Sequence, residues 1–301
     1  MKNFIKKKLL NRELPKYAGH YAVVRSLIDG LEKINQEYNY NPTSKTNIAE
    51  HVHVLAGVNT LKAAIRLKQK GKIKKLTAGP NIVISSADEN GFIASPEVDL
   101  FLVPSKWVKD AYTFDNNKLR GRVDIWPAGV DPKQWDIIKQ ETKKPLVAFY
   151  KKRPENTIYE HCYNKTKDAG YDIEEIICGN FTQQNFKDIL KRVKFVVFFV
   201  EQESQGIALQ EIWATDTPTI VWNPEIWMYK NVNYACTSSP YLTEETGIFF
   251  KTKEEFDLII QTPLLSKYNP RKWVLENMTD EICAKNLVLK TTNNIETLSR
   301  E

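Results

Sequence analysis

Short apolar runs alternate with segments of helical periodicity along nearly the whole chain, and this alternation constrains the fold more than any other feature. The apolar run HVHVLAG (51–57) is followed by a stretch of helical spacing over 58–73. The runs KLTAGPNIVI (75–84), VDLFLVPS (98–105) and RVDIWPAGVD (122–131) continue the series. Strands that alternate with helices of about ten residues predict parallel sheets with helices on both faces. The expected fold class is therefore α/β.

The alternation begins again after a polar stretch bounded by prolines, PKQWDIIKQETKKP (132–145), which we interpret as a linker. The second series runs from PLVAFY (145–150) through KFVVFFV (194–200) to TPTIVWN (217–223). Two such series separated by a linker predict two Rossmann-like domains. The predicted units are an N-terminal domain over 1–130, a linker over 131–144, a C-terminal domain over 145–275, and a C-terminal helix over 276–301 that can cross back to the N-terminal domain.

The composition is that of a soluble globular protein, because 42% of the 301 residues are hydrophobic and 27% are charged. No apolar stretch approaches the roughly 20 residues of a membrane-spanning helix. The first residues lack the apolar core and cleavage site of a secretory signal, so we expect a cytoplasmic protein. The four cysteines are widely spaced, which favours free thiols over disulfides or a zinc knuckle.

Part of the net charge of +6 lies near the N-terminus, where basic residues are interleaved with apolar ones. This pattern could bind an anionic lipid surface and give peripheral membrane contact, or it could be a solvated terminal helix, which we favour. No nucleic-acid recognition motif accompanies the charge, so nucleic acid is not an expected partner. The basic residues concerned are Lys2, Lys6, Lys7, Lys8, Arg12 and Lys16.

Two of the four histidines, His51 and His53, fall on one face of a predicted strand. A half-exposed strand face is the favoured interpretation, because no cluster of His, Cys or acidic residues supplies the further ligands that a metal site needs. The sequence therefore predicts no metal.

Glu203 follows the apolar run 194–200, at the carboxyl end of a predicted parallel strand, where open α/β sheets bind their ligands. Ser204 and Gly206 then begin a helix. A helix start offers unpaired N–H groups and the positive end of the helix dipole, which suit a phosphate. Gly206 lets an oxyanion approach the backbone, because glycine has no side chain.

Glu211 lies eight residues beyond Glu203, about 12 Å along a helix axis and rotated by about 80°, so both carboxylates can face one side. A carboxylate can span two neighbouring hydroxyls. A nucleotide sugar fits this pattern, with its hexose at Glu203, its diphosphate at the helix start and its ribose at Glu211. The alternative is a surface helix with solvated glutamates. The apolar residues around Glu211 argue against it and predict a buried carboxylate that needs a partner.

The segment ESQGIALQEIWATDTPTIVWN (203–223) resembles the signature of retaining glycosyltransferases of the GT-B fold, most closely glycosyltransferase family 4. That signature is a Glu, seven residues, a second Glu, and a small-residue segment leading to TP and a strand. The segments AGHYAVVRSLIDGL (18–31), VDLFLVPSKWVKDAY (98–112) and VDIWPAGVDPKQW (123–135) are similar to the acceptor-facing loop, the end of the N-terminal domain and the domain crossing of this family. The resemblance implies two Rossmann-like domains around a deep cleft, with a shortened N-terminal domain.

By this resemblance Glu203 is the catalytic residue that contacts the donor sugar, and Glu211 holds the ribose hydroxyls. Cations after the first strand of the second domain would offset the charge on the departing nucleotide diphosphate. The remaining implied positions are Lys152 and Arg153 at the diphosphate; Ser204, Gln205, Gly206 and Ile207 at the helix start; Gly179 and Asn180 at the nucleobase; and Gly19 and His20 on the acceptor side.

The implied activity is transfer of a sugar from a nucleotide-sugar donor to a hydroxyl of a glycan, lipid or protein, with retention of configuration and by a front-face route. No cofactor or metal is implied, because the helix start and the basic residues take the place of a cation. Two other functions remain open: a GT-B epimerase or phosphorylase, and a catalytically silent GT-B module that binds a glycan or a protein partner.

Overall fold

The computed structural model describes residues 19–42, 48–152, 157–261 and 268–293. The basic N-terminal segment, whose contact with lipid was one of the two interpretations above, lies outside the described residues, and so does Arg153.

The N-terminal domain is built on a parallel sheet whose four strands lie side by side in chain order, β1-β2-β3-β4. One face of the sheet packs under α2 and α3 around Leu61, Leu76 and Phe101, and the other carries a smaller cluster around Trp126. The elements are α1 (His20–Lys33), β1 (His51–Ala56), α2 (Val58–Gln69), β2 (Lys75–Asn81), β3 (Leu100–Val103), α3 (Lys106–Asp115) and β4 (Val123–Ile125), with short 3₁₀ turns at Asp88–Ala94 and Asn117–Leu119.

The C-terminal domain contains a second parallel sheet, of five strands in the order β11-β8-β7-β5-β6. Strand β5 is buried along its whole length, which explains its continuous apolar run. The elements are β5 (Leu146–Lys151), α4 (Thr157–Asp168), β6 (Asp172–Ile177), α5 (Gln183–Leu190), β7 (Val193–Phe199), α6 (Ile207–Ala214), β8 (Thr219–Trp222), β9 (Ile226–Tyr229), β10 (Val232–Ala235), β11 (Gly247–Phe250), α7 (Lys253–Gln261), α8 (Pro270–Asn277) and α9 (Asp280–Asn293). The predicted α/β class with parallel sheets is confirmed.

The two sheets differ in where a ligand could enter. The strand order of the first sheet never reverses, whereas the order of the second reverses between β5 and β7, which are neighbours although β6 separates them in the chain. At such a reversal the connections leave on opposite faces of the sheet and open a crevice beyond the carboxyl ends of the strands. The fold therefore places a crevice between the ends of β5 and β7.

An antiparallel hairpin, β9–β10, is inserted between β8 and β11 and packs against the N-terminal domain. Its two-residue turn has positive φ at both Lys230 and Asn231, as a type I′ turn requires. The sequence analysis did not predict this hairpin. The alternating run IWMYKNVNYA (226–235) carries its signal.

The chain returns to the N-terminal domain at its end. Helix α9 packs against α1, and the indole nitrogen of Trp126 donates to the carbonyl of Cys283 at 2.8 Å. The two helices touch at Gly30, where an added Cβ would lie 2.3 Å from the Asp280 carbonyl oxygen. Residues 132–145 contain neither helix nor strand, and Trp135 within them is fully buried in the C-terminal core.

Candidate functional site

Two of the predicted site residues meet at the crevice between β5 and β7. Lys152 directly follows β5, and Glu203 lies four residues beyond the end of β7. The Nζ of Lys152 lies 2.8 Å from Oε1 of Glu203. The lysine side chain is 40% exposed and the glutamate side chain 17%, so solvent can reach the pair. The structure thus brings one cation and one carboxylate together where the strand order reverses.

Strand alternation separates Lys152 from its neighbour Lys151. Lys151 is buried, and its Nζ donates to Glu175 at 3.0 Å and lies 4.8 Å from the centre of the Tyr159 ring. It therefore points to the face of the sheet opposite to that of Lys152. Of the two described residues in the basic run, only Lys152 faces the crevice.

The start of α6 lies beside Glu203. Gly206 caps the helix with φ of 83°, in the left-handed region that glycine tolerates best. A Cβ on Gly206 would lie 3.0 Å from Cδ1 of Leu209 and 3.8 Å from Cβ of Glu203. Ser204 is exposed, whereas Ile207 packs against the apolar cluster around Trp126 in the N-terminal domain.

The side chain of Gln205 joins the two domains. Its Oε1 accepts from the backbone N–H of Ala128 at 3.0 Å, and its Nε2 donates to the carbonyl of Ala128 at 2.8 Å and to Oε1 of Gln210 at 3.1 Å. Because these bonds occupy both ends of the amide, only the backbone of Gln205 is available to a ligand. The sequence pattern gave no sign of this contact.

Glu211 is buried on α6, with 7% of the residue exposed. No hydrogen bond or ion pair reaches its carboxylate from the described part of the chain, so the expectation of a protein partner is not met. Burial raises its pKa to about 8, and the charge of Lys187 lowers it only in part. A buried carboxylate of this kind gains most from a ligand that donates hydrogen bonds.

Tyr150, which the sequence analysis did not select, is coupled electrostatically to two of the predicted residues, Glu203 and Glu211. It is the penultimate residue of β5 and stacks on Phe198 with ring centres 4.6 Å apart. The pKa of its hydroxyl is raised, most strongly by burial, and then by the hydrogen bond to the Cys178 thiol and by the charges of Glu203 and Glu211. The hydroxyl is thus within electrostatic range of both carboxylates. Alternation along β5, which puts Tyr150 and Lys152 on one face, was the available signal.

The predicted nucleobase loop lies next to this tyrosine. Gly179 and Asn180 follow β6, are exposed, and form a turn in which the Asn180 N–H donates to the Ile177 carbonyl at 3.0 Å. Gly179 has φ of 82° and open space around the position of a Cβ.

The predicted acceptor-side residues lie at the start of α1. Gly19 precedes the helix with φ of 52°, and His20 is its first residue and is exposed. No hydrogen bond joins either of them to the group around Glu203 in the described chain.

His51 is exposed and His53 is half-buried on β1. The Nδ1 of His53 lies 2.9 Å from the hydroxyl of Thr77, and its ring packs edge-on to Trp126. Burial lowers its pKa to about 4. Among the described residues no group of three or more His, Cys, Asp or Glu side chains could hold a metal ion. No helix in those ranges is long and apolar enough to cross a membrane.

No protein-family model matches the chain, and no curated protein matches it either. Solved structures do match. A lipopolysaccharide outer core galactosyltransferase, WaaB in its apo form, superposes with a TM-score of 0.57 at 12% identity, over 89% of this chain and 79% of that chain. Sucrose-phosphate synthase from Thermosynechococcus elongatus gives 0.56 at 12% identity, over 92% and 79% of the two chains.

A third match is HepE of Anabaena, solved in complex with UDP, with a TM-score of 0.53 at 9% identity, over 79% of this chain and 78% of that chain. These likenesses establish the architecture: the chain has the GT-B fold of two Rossmann-like domains, in a short form of 301 residues. The fold that the sequence motifs implied is confirmed.

Proposed function

We propose that the protein is a glycosyltransferase that moves a sugar from a nucleotide-sugar donor to a hydroxyl acceptor, with retention of configuration and without a metal ion. One observation carries the proposal. The Lys152 cation, the Glu203 carboxylate and the start of α6 meet at the reversal of the second sheet, and the same helix carries the buried carboxylate of Glu211.

The diphosphate of the donor would lie at the start of α6. The backbone N–H groups of Gly206, Ile207 and Ala208 are free of helical partners by their position at the start of α6, and Gly206 leaves room for an oxyanion. Lys152 adds a mobile positive charge beside them. Arg153 would add a second, as the family resemblance implies. Together these groups would stabilise the charge that develops on the departing diphosphate.

The two carboxylates would hold the ends of the donor. Glu203 would accept hydrogen bonds from hydroxyls of the sugar once Lys152 moves to the diphosphate. Glu211 has no protein donor in the described chain, and the two ribose hydroxyls would supply what its buried carboxylate lacks. The loop at Gly179 and Asn180 would pack against the nucleobase.

In the transfer step, the bond between the anomeric carbon and the phosphate oxygen breaks, and the acceptor oxygen bonds to that carbon on the same face. The acceptor proton passes to the departing phosphate oxygen, so atoms and charge balance without a protein base. The protein would bind and orient both substrates and stabilise the leaving group. Gly19 and His20, at the start of α1, would line the acceptor side.

The complex of HepE with UDP supports a nucleoside diphosphate as the leaving group, because that protein shares this fold. The acceptor in the proposal is a hydroxyl of a glycan, lipid or protein.

A panel of nucleotides tests the proposal. The protein would be titrated with UDP, GDP, ADP and their sugar conjugates while the melting temperature is followed, since a ligand that binds the folded state raises it. We expect one nucleotide family to raise the melting temperature by several degrees. Donor hydrolysis and transfer would then be measured with that family.

Glu203→Gln should abolish turnover and keep the nucleotide-induced shift. The matched control is Glu225→Gln, because Glu225 also pairs with a lysine, Lys251, at 2.8 Å in the same domain. Turnover that survives Glu203→Gln, or a wild-type protein that binds no nucleotide in the panel, would overturn the proposal.

A further inference from the structure

Both backbone groups of Glu203 are held in place. Its N–H donates to the carbonyl of Thr237 at 3.0 Å, within the C-terminal domain. Its carbonyl accepts from the indole nitrogen of Trp107 at 2.8 Å, and Trp107 belongs to α3 of the N-terminal domain. The position of the carboxylate at the sugar end of the proposed donor site therefore depends on a side chain of the other domain.

The loop that carries Glu203 has a second attachment to the N-terminal domain two residues further on. There the Gln205 side chain bonds both backbone groups of Ala128. Ser204, between the two attachments, is exposed. The loop is thus bonded to the N-terminal domain on both sides of its exposed residue.

The β9–β10 hairpin packs against the ring of Trp107. The ring of Trp227 packs edge-on to that of Trp107 with centres 6.0 Å apart. The hairpin is anchored to the N-terminal domain by Lys230, whose Nζ lies 2.6 Å from Asp88, and by Tyr234, whose hydroxyl donates to Asp115 at 2.9 Å. Trp107 therefore contacts the Trp227 ring of the anchored hairpin and the Glu203 carbonyl at the same time.

We propose that Trp107 is a positioning residue for the donor sugar: it holds Glu203 through the backbone carbonyl and so makes the sugar end of the site depend on both domains. This inference rests on the proposed function. The nucleotide end relies on other contacts: Lys152, Glu211 and α6 belong to the C-terminal domain, and the start of α6 is joined to the N-terminal domain through Gln205 and Ala128 rather than through Trp107. Loss of the indole N–H should therefore weaken recognition of the sugar and leave recognition of the nucleotide intact.

The test compares Trp107→Phe with the wild type. The substitution keeps an aromatic ring against Trp227 and removes the N–H donor. Calorimetric titrations with the preferred nucleoside diphosphate and with its nucleotide sugar give the affinity gain due to the sugar. We expect that gain, and the rate of donor hydrolysis, to fall by about tenfold, the worth of one lost hydrogen bond, with the nucleotide affinity within about twofold of wild type.

The matched control is Trp222→Phe, since the indole nitrogen of Trp222 is buried and has no hydrogen-bond partner in the described ranges. This variant should keep both affinities. Equal losses of nucleotide and nucleotide-sugar affinity in Trp107→Phe, or the same loss in Trp222→Phe, would mean a general structural role and overturn the inference. A wild-type protein that binds no nucleotide would reject the proposed function instead.

A measurement on the protein alone tests the role of Trp107 independently of whether the protein binds nucleotides. The indole proton of Trp107 can be assigned in NMR spectra by its absence from Trp107→Phe, and we expect it to exchange with solvent much more slowly than an exposed indole. Fast exchange would show that the bond to Glu203 does not persist, and would overturn the inference whether or not a nucleotide binds.

Discussion

Lys152 and Glu203 form an ion pair of 2.8 Å across the reversal point of the second sheet, between the ends of two strands that are neighbours in space and not in the chain. The pair is partly exposed, and pairs of this kind contribute only about 0–1 kcal/mol to stability. A diphosphate carries more negative charge than one carboxylate and can therefore displace Glu203 from the lysine. The pair places a cation at the site before the ligand arrives.

Lys152→Met should lower the affinity for the preferred nucleoside diphosphate by tenfold or more, since a charge-assisted contact to phosphate is lost, worth about 1.5–3 kcal/mol. The free energy of unfolding should change by less than about 1 kcal/mol. Calorimetric titration and urea unfolding measure the two quantities.

The control for this change is Lys194→Met, because Lys194 is exposed near the opposite, amino end of the adjacent strand β7. It removes the same charge away from the crevice. If the two variants lose equal affinity, the effect is one of net charge, and Lys152 has no specific role.

Glu211→Gln should stabilise the protein increasingly as pH rises. In the unfolded chain the carboxyl ionises near its ordinary pKa of 4.5, whereas burial keeps it protonated in the folded protein up to about pH 8. The stability that this group contributes is thus complete below pH 4.5 and is lost as pH rises to about 8. Glutamine does not titrate, so the difference in unfolding free energy between variant and wild type should grow to a few kcal/mol across this window.

Melting temperatures of both proteins from pH 4 to pH 9 measure the trend. Glu276→Gln, on α8 with its lysine partner 3.9 Å away, controls for the loss of a carboxylate as such. A constant difference between Glu211→Gln and wild type over this range would contradict the assignment of a buried, protonated carboxyl.

Glu211 should also make the protein distinguish ribose from deoxyribose. Wild-type protein should bind a ribonucleoside diphosphate about tenfold tighter than its 2′-deoxy form, because the deoxy form leaves the buried Glu211 carboxyl without a hydrogen-bond partner, which costs about 1–3 kcal/mol. Glu211→Gln should remove most of this preference. An unchanged ratio of the two dissociation constants would place the ribose elsewhere.

The sequence predicted the elements around the site because each of them is set by local chemistry. The run KFVVFFV is buried as β7, so Glu203 had to emerge near its carboxyl end, and the glycine at 206 marked the start of α6. The resemblance selects Lys152 rather than Lys151, and alternation along β5 explains why these two lysines point to opposite faces of the sheet.

The contacts between the domains could not be predicted in the same way. Trp107 and Gln205 bond partners 96 and 77 positions away, at distances of 2.8 and 3.0 Å, and no local pattern specifies such pairs. The sequence also could not predict that Glu211 has no hydrogen-bond partner among the described residues. Burial predicts that a carboxylate needs a donor, but it does not tell whether the protein or a ligand supplies it.

Gly206→Ala should weaken nucleotide binding through the backbone. The residue has φ of 83°, which costs an alanine about 1–2 kcal/mol, and the new Cβ would meet Leu209 at 3.0 Å. Relief of this strain must shift the loop that begins α6, where we propose that the diphosphate binds. We expect a loss of about 1–2 kcal/mol in stability together with a loss of tenfold or more in nucleotide affinity.

Gly30→Ala is the control that separates a loss of stability from a specific loss of nucleotide affinity. Its Cβ would come 2.3 Å from the Asp280 carbonyl at the contact of α1 with α9, which should cost about 1–3 kcal/mol by overpacking. Because that contact involves neither β5 nor α6, the surviving folded protein should bind nucleotide normally. Unfolding curves and titrations of both variants would show whether nucleotide affinity depends on the conformation of the loop before α6 or only on the stability of the protein. If both variants lose affinity in proportion to stability, the start of α6 is not the diphosphate site.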